Sequence, residues 1–408
     1  MIKRHYTELL FEYLDLFPCV AILGARQCGK TSLLQDLPEP WKRYDMEKMD
    51  DFNRISRDPD LFFRLNPGQV AIDESQLLPE LFPALRVAID SNRKQNGRFV
   101  LTGSSSPALL KSISESLAGR IAVINLSPFT LAEAFEVKES EFYRLVGQTR
   151  KPAEIVAALA ARLNIQQLHD YWHRGGYPEV WLKNNPRFSK LWMQNYLQTY
   201  INRDIVRLFP GLNSNKYQLF IQMLANLSGQ VINYSDIARA LGVSQPTVHD
   251  YFQIADGSFI WRHITPYEKN ASKRIVKHPK GYLRDSGLLH FLLHLNTLND
   301  LLAHPAMGHS WEAMVMENII RGFCISGAAF DYHYYRTSAG AEVDLVLEGE
   351  FGLLPIEVKY SNKTTGHNLR GIADFVTAHK CDFGIVVSNT ERPALITEKL
   401  IEIPFAAL

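Results

Sequence analysis

Residues 17–37 read FPCVAILGARQCGKTSLLQDL, and this stretch constrains the fold more than any other part of the chain. The continuous apolar run from Cys19 to Leu23 is what a parallel strand buried on both faces requires. It enters the pattern G-x-x-x-x-G-K-[ST] from Gly24 to Thr31 and then an amphipathic segment, TSLLQDL. Gly24 and Gly29 let the backbone curl so that its N–H groups face phosphate oxygens. The loop running through Ala25, Arg26, Gln27 and Cys28 to Lys30, Thr31 and Ser32 is therefore a candidate cradle for a nucleoside triphosphate. Lys30 is placed to reach the β and γ phosphates, and the Thr31 hydroxyl to coordinate Mg²⁺. The following helix aims its positive N-terminal end at the same anion.

A second strand, in GQVAIDESQLLP, ends in two carboxylates. At the carboxyl end of a parallel strand beside the loop, Asp73 would hold Mg²⁺, and Glu74 would polarise an attacking water as general base. A third apolar strand, in RFVLTGSSSPALL, ends in a polar cluster containing Thr102 and Ser104. In SESLAGRIAVINLSPFT, Arg120 sits at a helix-to-strand junction. It is read either as an arginine finger that stabilises charge on a transferring phosphoryl group or as a surface cap on a helix C-terminus. A finger acting in trans requires a homo-oligomer.

The totals set outer limits. A chain of 408 residues predicts two or three domains, and 46% hydrophobic with 21% charged residues predicts a soluble globular protein. No run of 18 apolar residues points to a membrane span, and the charged start MIKRHYTELLFEYLDLF is not a signal peptide. Cys19, Cys28, Cys324 and Cys381 lack CxxC spacing, which argues against zinc or a disulfide framework. The expected compartment is the cytoplasm. A net charge of +1 gives no global pull toward nucleic acid, so such binding must come from a local patch.

Together, strand–loop–helix, strand-Asp-Glu, strand–Ser and helix–Arg–strand resemble an AAA-type ATPase core. The wording GARQCGKTSLL, AIDESQLLP, LTGSSS and SLAGR is similar to the archaeal-type ATPase group of prokaryotic proteins, and this resemblance covers most of the chain. It implies bound ATP and Mg²⁺, and a sensor of the γ-phosphate at Ser104, with Thr102 second; a plain Gly/Ser loop is the alternative. Cys28 stands where that group usually has an aliphatic residue, and a thiol there predicts sensitivity of the loop to oxidation.

After residue 130 the pattern turns helical, and KPAEIVAALAARLNIQQLHDYWHR keeps i, i+3, i+4 apolar spacing until GGYP breaks it. The resemblance implies a helical lid here, and GGYPE with QTYINRDIVRL matches the same group. Arg203 is read as pairing with Asp204 or another acid, or as approaching the nucleotide. INYSDIARALGVSQPTVHDYFQIADGSFIWRHITPY has the spacing of a helix-turn-helix with a wing. Its second helix offers Gln245, Thr247 and His249 but no Lys or Arg. Arg262, Lys269, Lys273, Arg274, Lys277, Lys280 and Arg284 follow, against Glu268 and Asp285, and this basic segment is the candidate DNA-backbone contact. A winged helix used only for packing is the alternative.

From GHSWEAMVMENIIRGF onward a helix precedes strands FDYHYYRT, AEVDLVLEG and FGLLPIEVKYS, then a helix and DFGIVVS. Glu357 and Lys359 lie two apart and project from one face of a strand, and a hairpin would bring Asp344 beside them. Two carboxylates and a lysine suit a Mg²⁺ site on a scissile phosphate, with Glu317 as a further acid. This arrangement resembles the PD-(D/E)XK nuclease superfamily, although no proline precedes Asp344.

The expected fold is thus α/β: an AAA-type P-loop core over 1–135, a helical lid over 136–215, a winged helix-turn-helix region over 216–300 and a nuclease-like α/β domain over 301–408. The expected function is a Mg²⁺-dependent ATPase coupled to a nuclease-like domain acting on nucleic acid. Its alternative is an ATP-controlled signalling switch with a catalytically silent nuclease-like domain. A third reading, a DNA-binding regulator with structural ATP, is disfavoured by the near-neutral charge and the bare second helix.

Overall fold

The computed structural model describes residues 2–104, 107–149, 151–209, 211–268, 278–337, 340–362 and 369–408. The chain divides into two compact units, Met1–Phe129 with Gly257–Phe259, and Thr130–Asp256 with Ile260–Leu408.

In the first unit the described strands are β1 (Cys19–Gly24), β2 (Lys42–Asp45), β3 (Val70–Asp73), β4 (Phe99–Ser104) and β5 (Ile121–Leu126). They form one parallel sheet in the order β2-β3-β4-β1-β5. β1 is an interior strand, between β4 and β5, and is buried along its whole length, as its unbroken apolar run requires. β5 alternates buried and exposed positions because it is an edge. The core packs Phe63, Phe82, Leu85 and Leu101 around the sheet. With β4 between β1 and β3, the carboxyl ends of all three meet at one edge, where open parallel sheets take their ligands.

The second unit holds a mixed sheet whose described strands are β6 (Gln230–Val231), β7 (Trp261–Pro266), β8 (Lys280–Leu283), β9 (Phe330–Arg336), β10 (Glu342–Gly349), β11 (Gly352–Val358), β12 (Gly384–Ser388), β13 (Ala394–Thr397) and β14 (Leu400–Pro404). Their order is β13-β14-β12-β11-β10-β9-β7-β8-β6. The parallel pairing of β7 with β9, Thr265 opposite His333, makes one sheet of strands that lie far apart in sequence. β13 and β14 extend the sheet beyond DFGIVVS; both are short runs that periodicity did not pick out.

Helices Tyr234–Leu241 and Gln245–Gly257 flank the turn at Gly242. Upstream, the expected unbroken helical run is interrupted: Pro152–Ala158 and Ile165–Arg174 are separate helices. Asn164 starts the second with a capping box, its Oδ1 accepting from Gln167 N at 3.0 Å and its N–H donating to Gln167 Oε1 at 2.9 Å. The GGYP break has a packing reason as well as a turn. A Cβ on Gly175 (φ 74°) would lie 2.3 Å from Asp285 Oδ1, and Asp285 Oδ2 accepts the Gly176 N–H at 2.8 Å. No described helix is long and apolar enough to cross a membrane.

Candidate functional site

β1 ends at Gly24, where a Cβ would lie 2.3 Å from the Leu126 carbonyl oxygen, so the loop leaves the sheet where no side chain fits. Gln27 (φ 58°) and Gly29 (φ 102°) turn it left-handed before the helix Lys30–Gln35. Lys30 is 5% exposed and donates from Nζ to the carbonyls of Gly24 at 3.2 Å and Ala25 at 3.1 Å. Beside it the Thr31 hydroxyl donates to Asp73 Oδ2 at 2.6 Å. Asp73 Oδ1 accepts from the Thr102 hydroxyl, which itself accepts the Glu74 N–H at 3.1 Å. One hydroxyl thus donates once and accepts once, linking β4 to the Asp73 carboxylate and to the Glu74 backbone. Glu74 sits at φ 53°, and its Oε2 accepts from Gln76 Nε2 at 2.5 Å.

These residues fit Mg-ATP. A hydroxyl and a carboxylate in contact are the oxygen donors that a hard cation takes, and a buried lysine stands on the same loop. Of the two β4 candidates for phosphate sensing, Thr102 joins the network; Ser104 pairs by backbone with Gly24, and its side chain lies outside the described residues. Cys28 is buried, with its Sγ donating to Leu126 O at 3.5 Å, so oxidants do not reach the thiol in this conformation.

In this structure Arg120 makes the contacts of a helix cap. Its Nη1 donates to Ala118 O at 3.0 Å, and Nε and Nη2 fork onto Asp90 at 2.8 Å each. That guanidinium holds the Asp90 carboxyl below its ordinary range. Arg203 is exposed, and the Asp204 side chain proposed to pair with it lies outside the described residues.

The basic segment is not a uniform patch. Arg262 is buried and donates from Nε to Glu317 Oε2 at 2.5 Å and from Nη2 to Oε1 at 2.9 Å. Arg284 donates to Glu317 Oε1 at 2.9 Å, and Lys280 pairs with Glu342. The expectation that Arg262, Lys280 and Arg284 face DNA phosphates is corrected: each is held by a carboxylate of its own unit. Lys269, Lys273, Arg274 and Lys277 lie outside the described residues. The second helix exposes Gln245, His249, Asp250, Gln253 and Asp256, with His249 stacked on Tyr234 at 4.1 Å, and Thr247 bonds Ser244 at 2.8 Å. Two acids on that face repel a phosphate backbone.

In the C-terminal sheet the antiparallel register sets Leu345 opposite Ile356, which carries Asp344 to Glu357 on the shared face. A bulge between Val343 and Val346 lies at Asp344. Lys359 Nζ donates to Glu357 Oε1 at 2.5 Å, and Asp344 Oδ2 accepts the Val358 N–H at 2.8 Å. Glu357 is 7% exposed, and its Oε2 has no hydrogen-bond partner among the described residues. Burial, then the Glu357 and Glu312 charges, push the Asp344 carboxyl well above its usual range. Burial raises Glu357 too. Burial opposes the charge on Lys359, but Glu357 and Asp344 outweigh it and hold the ammonium above its ordinary value.

Glu317 is not the helix acid of this cluster. Its carboxylate, 1% exposed, is taken up by Arg262, Arg284 and Arg321, the last at 3.3 Å. Burial works against the charge, yet the three guanidinium groups hold it far below the carboxylate range. Glu312, five residues earlier on the helix Met307–Ile325, is the acid whose charge bears on Asp344, Glu357 and Lys359. The signal for the exchange lay in Arg321, which sits at i+4 from Glu317 and predicts an intrahelical pair. Among the described residues no group of three or more His, Cys, Asp or Glu is arranged to hold a metal ion. Mg²⁺ asks less, binding through one or two carboxylates and keeping water for the rest, and Asp344 with Glu357 supplies that minimum.

Residues 17–135 match the family described as AAA domain. Residues 165–299 and 307–408 match two domains of unknown function, DUF8612 and DUF4143. Over 348 residues the chain is 33% identical to the uncharacterized protein Rv2008c of Mycobacterium tuberculosis, covering 85% of this chain and 71% of that protein. The uncharacterized protein MJ1544 of Methanocaldococcus jannaschii is 24% identical over 261 residues, covering 61% of this chain and 52% of that protein. Among solved structures, the Walker-type ATPase PABY2304 of Pyrococcus abyssi is 17% identical with a TM-score of 0.42, over 72% of this chain and 96% of that one. The chain therefore carries an AAA-family P-loop ATPase domain followed by regions whose relatives are uncharacterized.

Proposed function

This chain belongs to the family of Rv2008c of Mycobacterium tuberculosis, and we propose that it is a cytoplasmic Mg²⁺-dependent ATPase coupled to a nuclease-like domain acting on nucleic acid. The observation that carries the ATPase reading is the 2.6 Å contact between Thr31 Oγ1 and Asp73 Oδ2, with Lys30 buried on the same loop. Bound Mg-ATP would supply the phosphoanhydride and the charge neutralisation at its phosphate oxygens. Gly24 through Ser32 would hold the phosphates, with Lys30 exchanging its two carbonyl contacts for them, and Thr31 and Asp73 would hold the cation. Glu74 takes the proton of the attacking water, and Thr102 keeps both acids in register.

The finer architecture in this proposal is a core over 1–135, a helical lid over 136–215, a winged helix-turn-helix over 216–300 and a nuclease-like domain over 301–408. Glu357 Oε2, beside Asp344 and Lys359 and without a hydrogen-bond partner among the described residues, supports a cation site there. A second reading, an ATP-controlled interaction switch with a silent nuclease-like domain, is favoured by the acidic exposed face of the second helix and the burial of Arg262 and Arg284.

Lys30→Ala is expected to abolish tight ATP binding, whereas Glu74→Gln should bind ATP and turn it over about 100-fold more slowly. Turnover unchanged in both would overturn the ATPase reading. Mg²⁺- or Mn²⁺-dependent cleavage of DNA and RNA, lost in Asp344→Ala and Lys359→Ala, is expected of the nuclease; cleavage absent, or indifferent to those changes, leaves the switch. For a homo-oligomer with Arg120 acting in trans, mixing Arg120→Ala with Lys30→Ala protein should restore activity, and no recovery leaves Arg120 as the helix cap.

A further inference from the structure

We propose that Arg4 is a positioning residue of the phosphate loop: from the segment ahead of the first helix, it fixes the direction of a loop backbone donor and thereby sets nucleotide affinity. The inference rests on reading that loop as an ATP site.

Arg4 is 3% exposed, an unusual place for a charged side chain, so its contacts must hold it there. Nη1 donates to the Cys28 carbonyl at 2.6 Å and Nη2 to the Ser127 carbonyl at 2.7 Å. The guanidinium also lies over the rings of Phe129 at 5.1 Å and Tyr6 at 5.7 Å. Cys28 belongs to the phosphate loop, and Ser127 follows the end of β5, so one planar fork ties the loop to the sheet edge beside it.

The consequence follows from peptide geometry. The Cys28 C=O and the Gly29 N–H share one trans peptide plane and point in opposite directions. Gripping that carbonyl from one side aims the Gly29 N–H to the other, as one of the donors a phosphate would meet. The planes on either side are held as well: Cys28 N donates to Ala25 O at 3.4 Å, and Gly29 O accepts from Leu33 N at 3.0 Å. A Cβ on Gly29 would stand 3.0 Å from Arg4 Nη1. Gly29 is thus required for its φ of 102° and for the approach of this guanidinium. Arg4 lies twenty positions before the start of the motif it serves, and no motif spacing points to it.

The test measures ADP binding by calorimetry and ATP turnover in the full chain, with thermal unfolding in the absence of nucleotide. Arg4→Met should weaken ADP binding and raise KM about tenfold, the worth of one charge-assisted hydrogen bond, with kcat lowered far less. Arg4→Lys keeps the charge and one donor and should recover part of that loss. If Arg4→Met does not fold, Arg4→Lys carries the test, with weaker ADP binding expected at a near-parental melting temperature. ADP affinity unchanged in every variant that folds, whatever happens to the melting temperature, overturns the inference while leaving the ATP site standing. A parent protein that binds neither ADP nor ATP overturns both.

Discussion

At the phosphate loop Asp73 accepts from two hydroxyls, those of Thr31 and Thr102, so its oxygens are satisfied within the first unit. At the C-terminal site Asp344 accepts one backbone N–H, faces a second carboxylate and has its proton affinity raised. Both sites hold a lysine as well, but Lys30 donates to two backbone carbonyls whereas Lys359 donates to Glu357. In one, two hydroxyls donate to the acid; in the other, the sheet register brings two acids together and leaves Glu357 Oε2 without a hydrogen-bond partner among the described residues. A satisfied acid serves stability and binding together. A crowded one costs stability, and such a cost marks a place where an external cation would be welcome.

Four measurements would break or sharpen that contrast. Five of the six tryptophans, Trp172, Trp181, Trp192, Trp261 and Trp311, lie in the second unit, so their fluorescence in urea reports its stability. The largest effect is expected from Glu317→Gln, which leaves three guanidinium groups short of their shared anion and should cost about 3–5 kcal/mol. A loss below about 1 kcal/mol would mean that the arginines are accommodated without Glu317.

Next comes acid sensitivity at His290. The His173 carbonyl, 3.2 Å from Nδ1, can only accept, so Nδ1 carries the proton and Nε2 accepts from Ser310 Oγ at 2.6 Å. Burial then holds the imidazole neutral down to about 3. The folded-state value is depressed, so stability is present above the unfolded value near 6.5 and is lost as pH falls, by about 1.4 kcal/mol per unit. Between pH 7 and pH 5 the parent should lose about 2 kcal/mol relative to His290→Gln. Parallel pH profiles for the two proteins would contradict the neutral, buried ring.

The last two form a pair of opposite sign. Asp73→Asn replaces an acceptor of two hydroxyl bonds and should destabilise the first unit by about 1–2 kcal/mol while weakening Mg-ATP binding. Asp344→Asn relieves carboxylate crowding and should stabilise the second unit by about 1 kcal/mol at neutral pH, with any Mg²⁺ dependence lost. Destabilisation by both would erase the contrast between the two acids.

The phosphate loop was legible because its function is built from consecutive backbone: glycine spacing, an apolar strand before it and Lys-Thr after it specify the turn locally. Asp73 was readable for the same reason, standing at the end of its own apolar run. The Asp344–Glu357 register was readable because a short hairpin leaves few alternatives. On sequence alone Thr102 ranks second to Ser104, since a strand's last polar residues look alike until their neighbours are fixed.

What the sequence alone determined is the chemistry available: a triphosphate loop with its acid pair, and two carboxylates with a lysine on adjacent strands. Only the tertiary structure decided which charges serve that chemistry. Arg262 and Arg284 read as part of a basic surface until β7 and the residue that follows its partner β8 bring both side chains onto Glu317. Glu312 and Glu317 are five residues apart, about 140° around a helix, so they face different neighbours. The helix pattern says that they separate. Which of them meets three arginines and which meets Asp344 depends on packing between segments distant in the chain, and no local spacing encodes that choice.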